Sequence, residues 1–141
     1  MGEEIRKAIE RNSEILYIYD ARMCNPNGDP DDENKPRMDY TQNINLVSDV
    51  RLKRYIRDYL MDYKGGVIFV SKVEGKTVDA TNRLKKLIEN NKEDIKNDEK
   101  LKDLLDKNLP NEKNLSKHLP WLLSKLVDIR FFGATMPIKS D

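Results

Sequence analysis

The chain has 141 residues, 38% of them hydrophobic and 36% charged, which is enough apolar material for one domain or part of one. Its 26 basic and 25 acidic side chains leave a net charge of +1, so any footprint for a nucleic acid must come from how the charges are distributed. With one cysteine, Cys24, and one histidine, His118, an internal disulfide and a Cys/His zinc site are excluded.

Residues 3–12 are polar and helix-compatible, and read as a leader over residues 1–12. No apolar signal core lies in residues 1–13, and no run approaches the roughly 20 apolar residues of a membrane span. The simplest reading is a soluble, cytoplasmic protein with no membrane partner. Residues 14–20, Glu-Ile-Leu-Tyr-Ile-Tyr-Asp, are β-branched and aromatic with apolar side chains on both faces. That pattern predicts a strand covered on both sides, central in its sheet.

Residues 25–37 hold Pro26, Pro30, Pro36 and Gly28 and predict a long loop without regular structure. A helix follows, with Ser48 as N-cap and Asp49 at the positive end of its dipole. Leu52, Ile56, Tyr59, Leu60 and Tyr63 fall on one helical face and Arg51, Arg54 and Asp58 on the other, with Lys53 and Arg57 flanking the stripe. Gly65-Gly66 ends this helix, and residues 67–73 predict a second strand. Residues 76–126 are rich in Lys, Asn and Glu, with Leu84, Leu87, Ile88, Leu101, Leu104 and Leu105 at helical spacing. Two or three short helices fit them, with breaks near Asn97 and at Asn108-Leu109-Pro110. Residues 127–132 alternate as a third strand that stops at Gly133.

The order β-loop-α-β-(helical insertion)-β predicts an α+β fold. It is the first half of a split βαβ, ferredoxin-like arrangement, which needs one more helix and one more strand. Residues 13–75 and 127–141 form this partial palm, and 76–126 form the insertion.

Few residues carry chemistry on their own. The segment 50–57 has four cations, Arg51, Lys53, Arg54 and Arg57, and no acid. Such a helix can track a phosphate chain, although on charge alone a solvated face is the simpler reading. Asp29, Asp31, Asp32 and Glu33 cluster in the loop, but their spacing misses the calcium-loop pattern, and a solvated turn is favoured over a metal site. No nucleophile–base pair is visible. His118 reads as structural, and Cys24 lacks a partner that would activate a thiolate. Arg130-Phe131-Phe132-Gly133-Ala134 resembles the aromatic strand of RNA-recognition sheets only superficially, because the full pattern is absent.

Three blocks taken together are more specific. Residues 13–20 with Asn25-Pro26-Asn27-Gly28-Asp29-Pro30-Asp31 and Pro36-Arg37 resemble the opening of the backbone subunit of the type I CRISPR Cascade, nearest its subtype I-B branch. Residues 45–54 and 56–60 resemble that family's first helix, and residues 128–135 its next characteristic strand. The resemblance implies an RNA-recognition-like palm with a helical insertion and a thumb, of which this chain is the N-terminal half, the second half of the domain being missing. It implies copies that self-associate along a guide RNA, held by its backbone so that its bases pair with target DNA, alongside other Cascade subunits. It implies no catalytic residue, metal or cofactor. By the same resemblance Ser48, Arg51 and Arg54 contact guide phosphates from the helix start, Lys53 and Arg57 are RNA-binding beside them, Asn25, Asn27 and Arg37 lie near the guide, and Arg130 and Phe132 face RNA from the sheet. A half-subunit leaves strand edges bare, so self-association of this chain and weak guide binding by it alone are expected. Two other readings stay open: a metal-dependent endoribonuclease using Asp29, Asp31 or Asp32, and a stand-alone RNA-binding module.

Overall fold

The structure, a computed structural model, describes residues 11–73, 75–105 and 112–137. It is α+β, with six α-helices and two small antiparallel hairpins among the described residues, and it divides into two compact units, Met1–Val47 and Ser48–Asp141.

In the first unit, residues 14–20 form no strand. Ile15, Leu16 and Ile18 are 88%, 86% and 81% exposed. The pattern for a two-faced central strand is present, but pairing is a non-local event and no described strand lies beside it. The loop expected over 25–37 is more ordered than its prolines suggest. Strand β1 (Gly28–Asp29) pairs antiparallel with β2 (Lys35–Pro36), Gly28 opposite Pro36. Strand β3 (Met38–Asp39) then pairs with β4 (Ile44–Asn45), Met38 opposite Asn45.

Acidic and amide side chains make both turns. The Asp29 carboxylate accepts from the Asp31 N–H (3.2 Å) and its carbonyl from the Asn34 N–H (2.8 Å). Glu33 and Asn34 sit at φ 50° and 59°, the left-handed region that Asn tolerates. Asp39 repeats the device, accepting from Thr41 (2.9 Å) and Gln42 (3.1 Å), with Asn43 left-handed. A Cβ at Gly28 would stand 2.0 Å from the Asn34 Oδ1 and 2.9 Å from its carbonyl oxygen, so β1 can close on the turn only without a side chain there.

In the second unit, α1 (Asp49–Lys64) begins and ends as its sequence predicts. The Ser48 hydroxyl accepts from the Arg51 N–H (3.2 Å), and Gly65 takes a left-handed φ of 63°. Its apolar stripe is only partly buried: Leu52, Ile56 and Leu60 are largely covered, while Tyr59 and Tyr63 are exposed and stacked, 5.4 Å between centroids. The one buried residue of α1 is a cation, Arg57.

Helices α2 (Ala80–Asn90), α3 (Lys92–Asn97), α4 (Glu112–Lys117) and α5 (Leu119–Lys125), with a 3₁₀ turn at Lys102–Leu105, occupy the region expected to be helical. The break near Asn97 is where α3 stops; the break at 108–110 lies outside the described residues. Leu84, Leu87, Leu115, Leu122 and Leu126 pack with Phe69 and Ile129. A second cluster joins Ile88, Ile95 and Leu104, and Trp121 packs against both.

Two expected strands are corrected here. Residues 127–132 are a helix, α6 (Val127–Phe132). Alternation requires Val127, Ile129 and Phe131 to share a buried face, yet Phe131 is exposed and Asp128 is completely buried. Residues 67–73 carry no ladder, only an isolated bridge between Val73 and Lys76. Several of their backbone groups are satisfied by side chains instead.

Candidate nucleic-acid interface

Ile68 and Phe69 are buried in an irregular segment, whose polar backbone groups need partners. Several groups of residues 67–70 find theirs on α1, α2 and α6. The Asp128 carboxylate accepts from the Phe69 N–H (2.8 Å) through one oxygen, and from the Val70 N–H (3.2 Å) and Arg57 Nε (2.9 Å) through the other. The Ile68 carbonyl accepts from the Arg83 guanidinium and the Ser71 hydroxyl (2.8 Å), and the Phe69 carbonyl from Arg83 Nε (3.2 Å). The Val70 carbonyl accepts from Arg54 Nη1 (2.7 Å), and that of Val67 from the Val127 N–H (3.2 Å).

This arrangement sorts the four cations of α1. Arg57 is held in the buried ion pair with Asp128, its guanidinium 4.9 Å from the Phe132 centroid. Arg54 is divided between Val70 and Asp58. Lys53 pairs with Asp49 at 3.0 Å and stands 6.0 Å from the Phe132 ring. Arg51 is exposed, its guanidinium 4.7 Å over the Tyr55 ring. The structure therefore gathers Lys53, Arg57 and Phe132, while Ser48 caps the helix. Arg130 is exposed on α6; with that element helical, Arg130 and Phe132 do not share a sheet face.

In the first unit, Asn25, Asn27 and Arg37 are brought together by the β1–β2 hairpin. Asn25 Nδ2 donates to the Asn34 carbonyl (2.7 Å), and the buried Asn27 accepts from the Arg37 N–H (3.2 Å) through its carbonyl. The Arg37 guanidinium reaches Asp29 at 3.2 Å. These contacts hold the hairpin closed. The acidic cluster is likewise tied to cations: Lys35 bridges Asp32 (2.8 Å) and Glu33 (3.5 Å), and its hydrogen bond to Asp32 raises its pKa above the usual lysine value. Among the described residues no three metal-ligating side chains converge.

His118 is buried, with Nε2 2.6 Å from Asp103 Oδ1. Lys117 donates to the same carboxylate, which this hydrogen bond and the nearby His118 hold below its ordinary range.

No motif in the sequence assigns a role to Asp128 or Arg83. Asp128 did leave a trace: a carboxylate inside the apolar run Val127–Phe132 must be either exposed or fully partnered. Nothing comparable marks Arg83, which sits in a lysine-rich helix.

No helix among the described residues is long and apolar enough to cross a membrane. Residues 11–141 match the family model described as CRISPR-associated protein Cas7. A curated protein of Haloferax volcanii, described in the same words, is 35% identical over 129 residues, which cover 92% of this chain and 33% of that protein. The chain thus spans about a third of the curated relative it matches, less than the half expected from sequence. No solved structure matches.

Proposed function

The chain belongs to the CRISPR-associated Cas7 family, and from that premise we propose that it is part of a guide-RNA-binding backbone subunit of a cytoplasmic, type I, subtype I-B-like interference complex. The subunit binds RNA without cleaving it, repeats along the guide beside other subunits, and leaves the bases free to pair with target DNA. In the longer protein the segment 14–20 gains the strand neighbours of an RNA-recognition-like palm.

The observation that carries the RNA reading is the exposed cationic edge of α1. Arg51 stacks on Tyr55 and Lys53 lies beside Phe132, so two accessible cations stand next to aromatic rings on one rigid helix. Arg54 extends this edge, Ser48 fixes where it starts, and Arg130 is an exposed cation of α6 kept in the reading as a separate RNA contact. Asn25, Asn27 and Arg37 shape a hairpin near the guide. Arg57 has a different role from the one expected of it: its guanidinium is committed to Asp128, so it orders the helix that the others use. The binding reading also gains from the acidic hairpin, because Asp29 is occupied by its turn and by Arg37 where a cleavage centre needs free carboxylates.

The test is binding of a short fluorescent single-stranded RNA across a salt series. Arg51→Glu with Lys53→Glu should weaken binding at least tenfold at low salt and lower the salt slope by roughly 0.7 for each phosphate contact removed. Unchanged affinity and slope would sink the reading. Mg²⁺-dependent cleavage abolished by Asp29→Ala would establish the nuclease reading in its place.

A further inference from the structure

His118 is the only histidine of the chain. Imidazole is the side chain whose ordinary charge change falls between about pH 5 and 8; carboxylates change below that window, and cysteine, tyrosine and lysine above it. The place this chain gives its single imidazole is therefore informative. His118 caps the start of α5, where its carbonyl accepts from the Leu122 N–H (3.0 Å), so its backbone is fixed. Its ring is 5% exposed, and Nε2 stands 2.6 Å from Oδ1 of Asp103 in the 3₁₀ turn Lys102–Leu105.

This contact is short but is not aligned as a hydrogen bond. Both atoms are closed off from solvent, and neither has an aligned partner among the described residues. A neutral ring gains little here: its N–H is off the line of the contact, and the other tautomer would set a lone pair against a carboxylate. An imidazolium gains the charge attraction, which needs no alignment. Asp103 supplies the opposite charge. Lys117 of α4 donates to its Oδ2 (2.6 Å), and this hydrogen bond, with His118 beside it, holds the carboxyl below its ordinary range. The other charged groups facing this place among the described residues are Asp98, Glu99, Lys100 and Lys102, two of each sign, which line a groove with Trp121. On the neighbouring helices, Lys125 of α5 pairs with Asp94 of α3 (3.4 Å).

The two partners sit on elements that serve different parts of the core. Leu104, next to Asp103, is buried with Ile88 and Ile95. Leu122, one turn after His118, is buried with Leu84, Leu87 and Leu115. We propose that the Asp103–His118 contact is a proton-operated latch that fastens the 3₁₀ turn to the head of α5, closed when the imidazole is charged and loosened when it is neutral. It is independent of the RNA reading, since neither residue belongs to α1 or to the hairpins. A latch that takes up a proton on closing adds stability at the acid end of the window and loses it as pH rises. Asp103 adds no slope there, because a carboxyl held below its ordinary range loses its contribution only on further acidification.

The test is urea unfolding of the full chain in steps between about pH 5.5 and 7.5, where no other side chain ordinarily changes charge. The urea midpoint of the unmodified chain should fall by about 0.3–0.5 M across that range. His118→Gln should abolish the slope by removing the group that takes the proton. Asp103→Asn should abolish it too, by removing the charge that the imidazole answers while leaving the ring in place. A midpoint that stays constant in the unmodified chain overturns the proposal, whether or not either variant folds. A slope that persists in His118→Gln overturns it by placing the proton elsewhere, and one that persists in Asp103→Asn overturns it by removing Asp103 from the latch.

Discussion

Asp128 is a single side chain that terminates three hydrogen bonds from two elements in a buried place. Removing it orphans the Arg57 cation together with the Phe69 and Val70 amides, and a broken buried ion pair costs about 3–5 kcal/mol. Asp128→Ala should therefore lower stability by about that amount, read from the urea midpoint, and accelerate hydrogen exchange at Phe69 and Val70. Neutralising the partner as well, with Arg57→Met, should not restore exchange protection at those amides, because their acceptor is still gone. Full protection in Asp128→Ala would contradict the hydrogen-bond assignment. Charge counting could locate the cationic segment 50–57, but it could not say which of its cations is spent inside the protein. That depends on an acid 71 positions away.

At the scale of elements, legibility follows the range of the determining interactions. Helix α1 was readable because its start and stop are local: a serine hydroxyl on an N–H three residues on, and a glycine free to turn left-handed. The prediction that belongs here is Ser48→Ala, which should cost about 1 kcal/mol of stability with little loss of RNA affinity beyond that, measured by thermal melting beside the binding assay. A large loss of affinity at unchanged stability would instead make the hydroxyl a phosphate ligand. The segments 14–20, 67–73 and 127–132 misled because their alternation is short and strand identity depends on a neighbour. Six residues that alternate also make little more than one helical turn and a half, and in α6 the buried carboxylate decided which. The hairpins of the first unit are hidden in the sequence for the opposite reason. Their prolines argue against a ladder, yet β2 places Pro36 where the chain needs no further donor, and the Asp and Asn turn chemistry does the rest.

For the molecule as a whole, each unit has its own account to close. The unit Ser48–Asp141 does so with two leucine-rich clusters bridged by Trp121. The unit Met1–Val47 carries Ile15, Leu16, Tyr17 and Ile18 in contact with solvent. Contiguous apolar surface of this kind seeks cover from another chain. The expected result in light scattering is a mass that rises with concentration, and Ile15→Lys with Ile18→Lys should hold the chain monomeric. A monodisperse monomer of the unmodified chain at high concentration would overturn that expectation. The cations of α1 are legible in the sequence; the way residues 67–70 are held is not, because their partners come from α1, α2 and α6, which only folding brings together.

The way residues 67–70 are held also changes how this protein can vary. A ladder built from main-chain groups tolerates most exchanges of side chain, since its bonds do not depend on residue type. Here the same kind of bonds run through Arg54, Arg83 and Asp128, so the path of the main chain is open to point mutation. Drift at any of those three positions would redirect residues 67–70 without changing a residue among them, and the three are therefore expected to vary together or not at all.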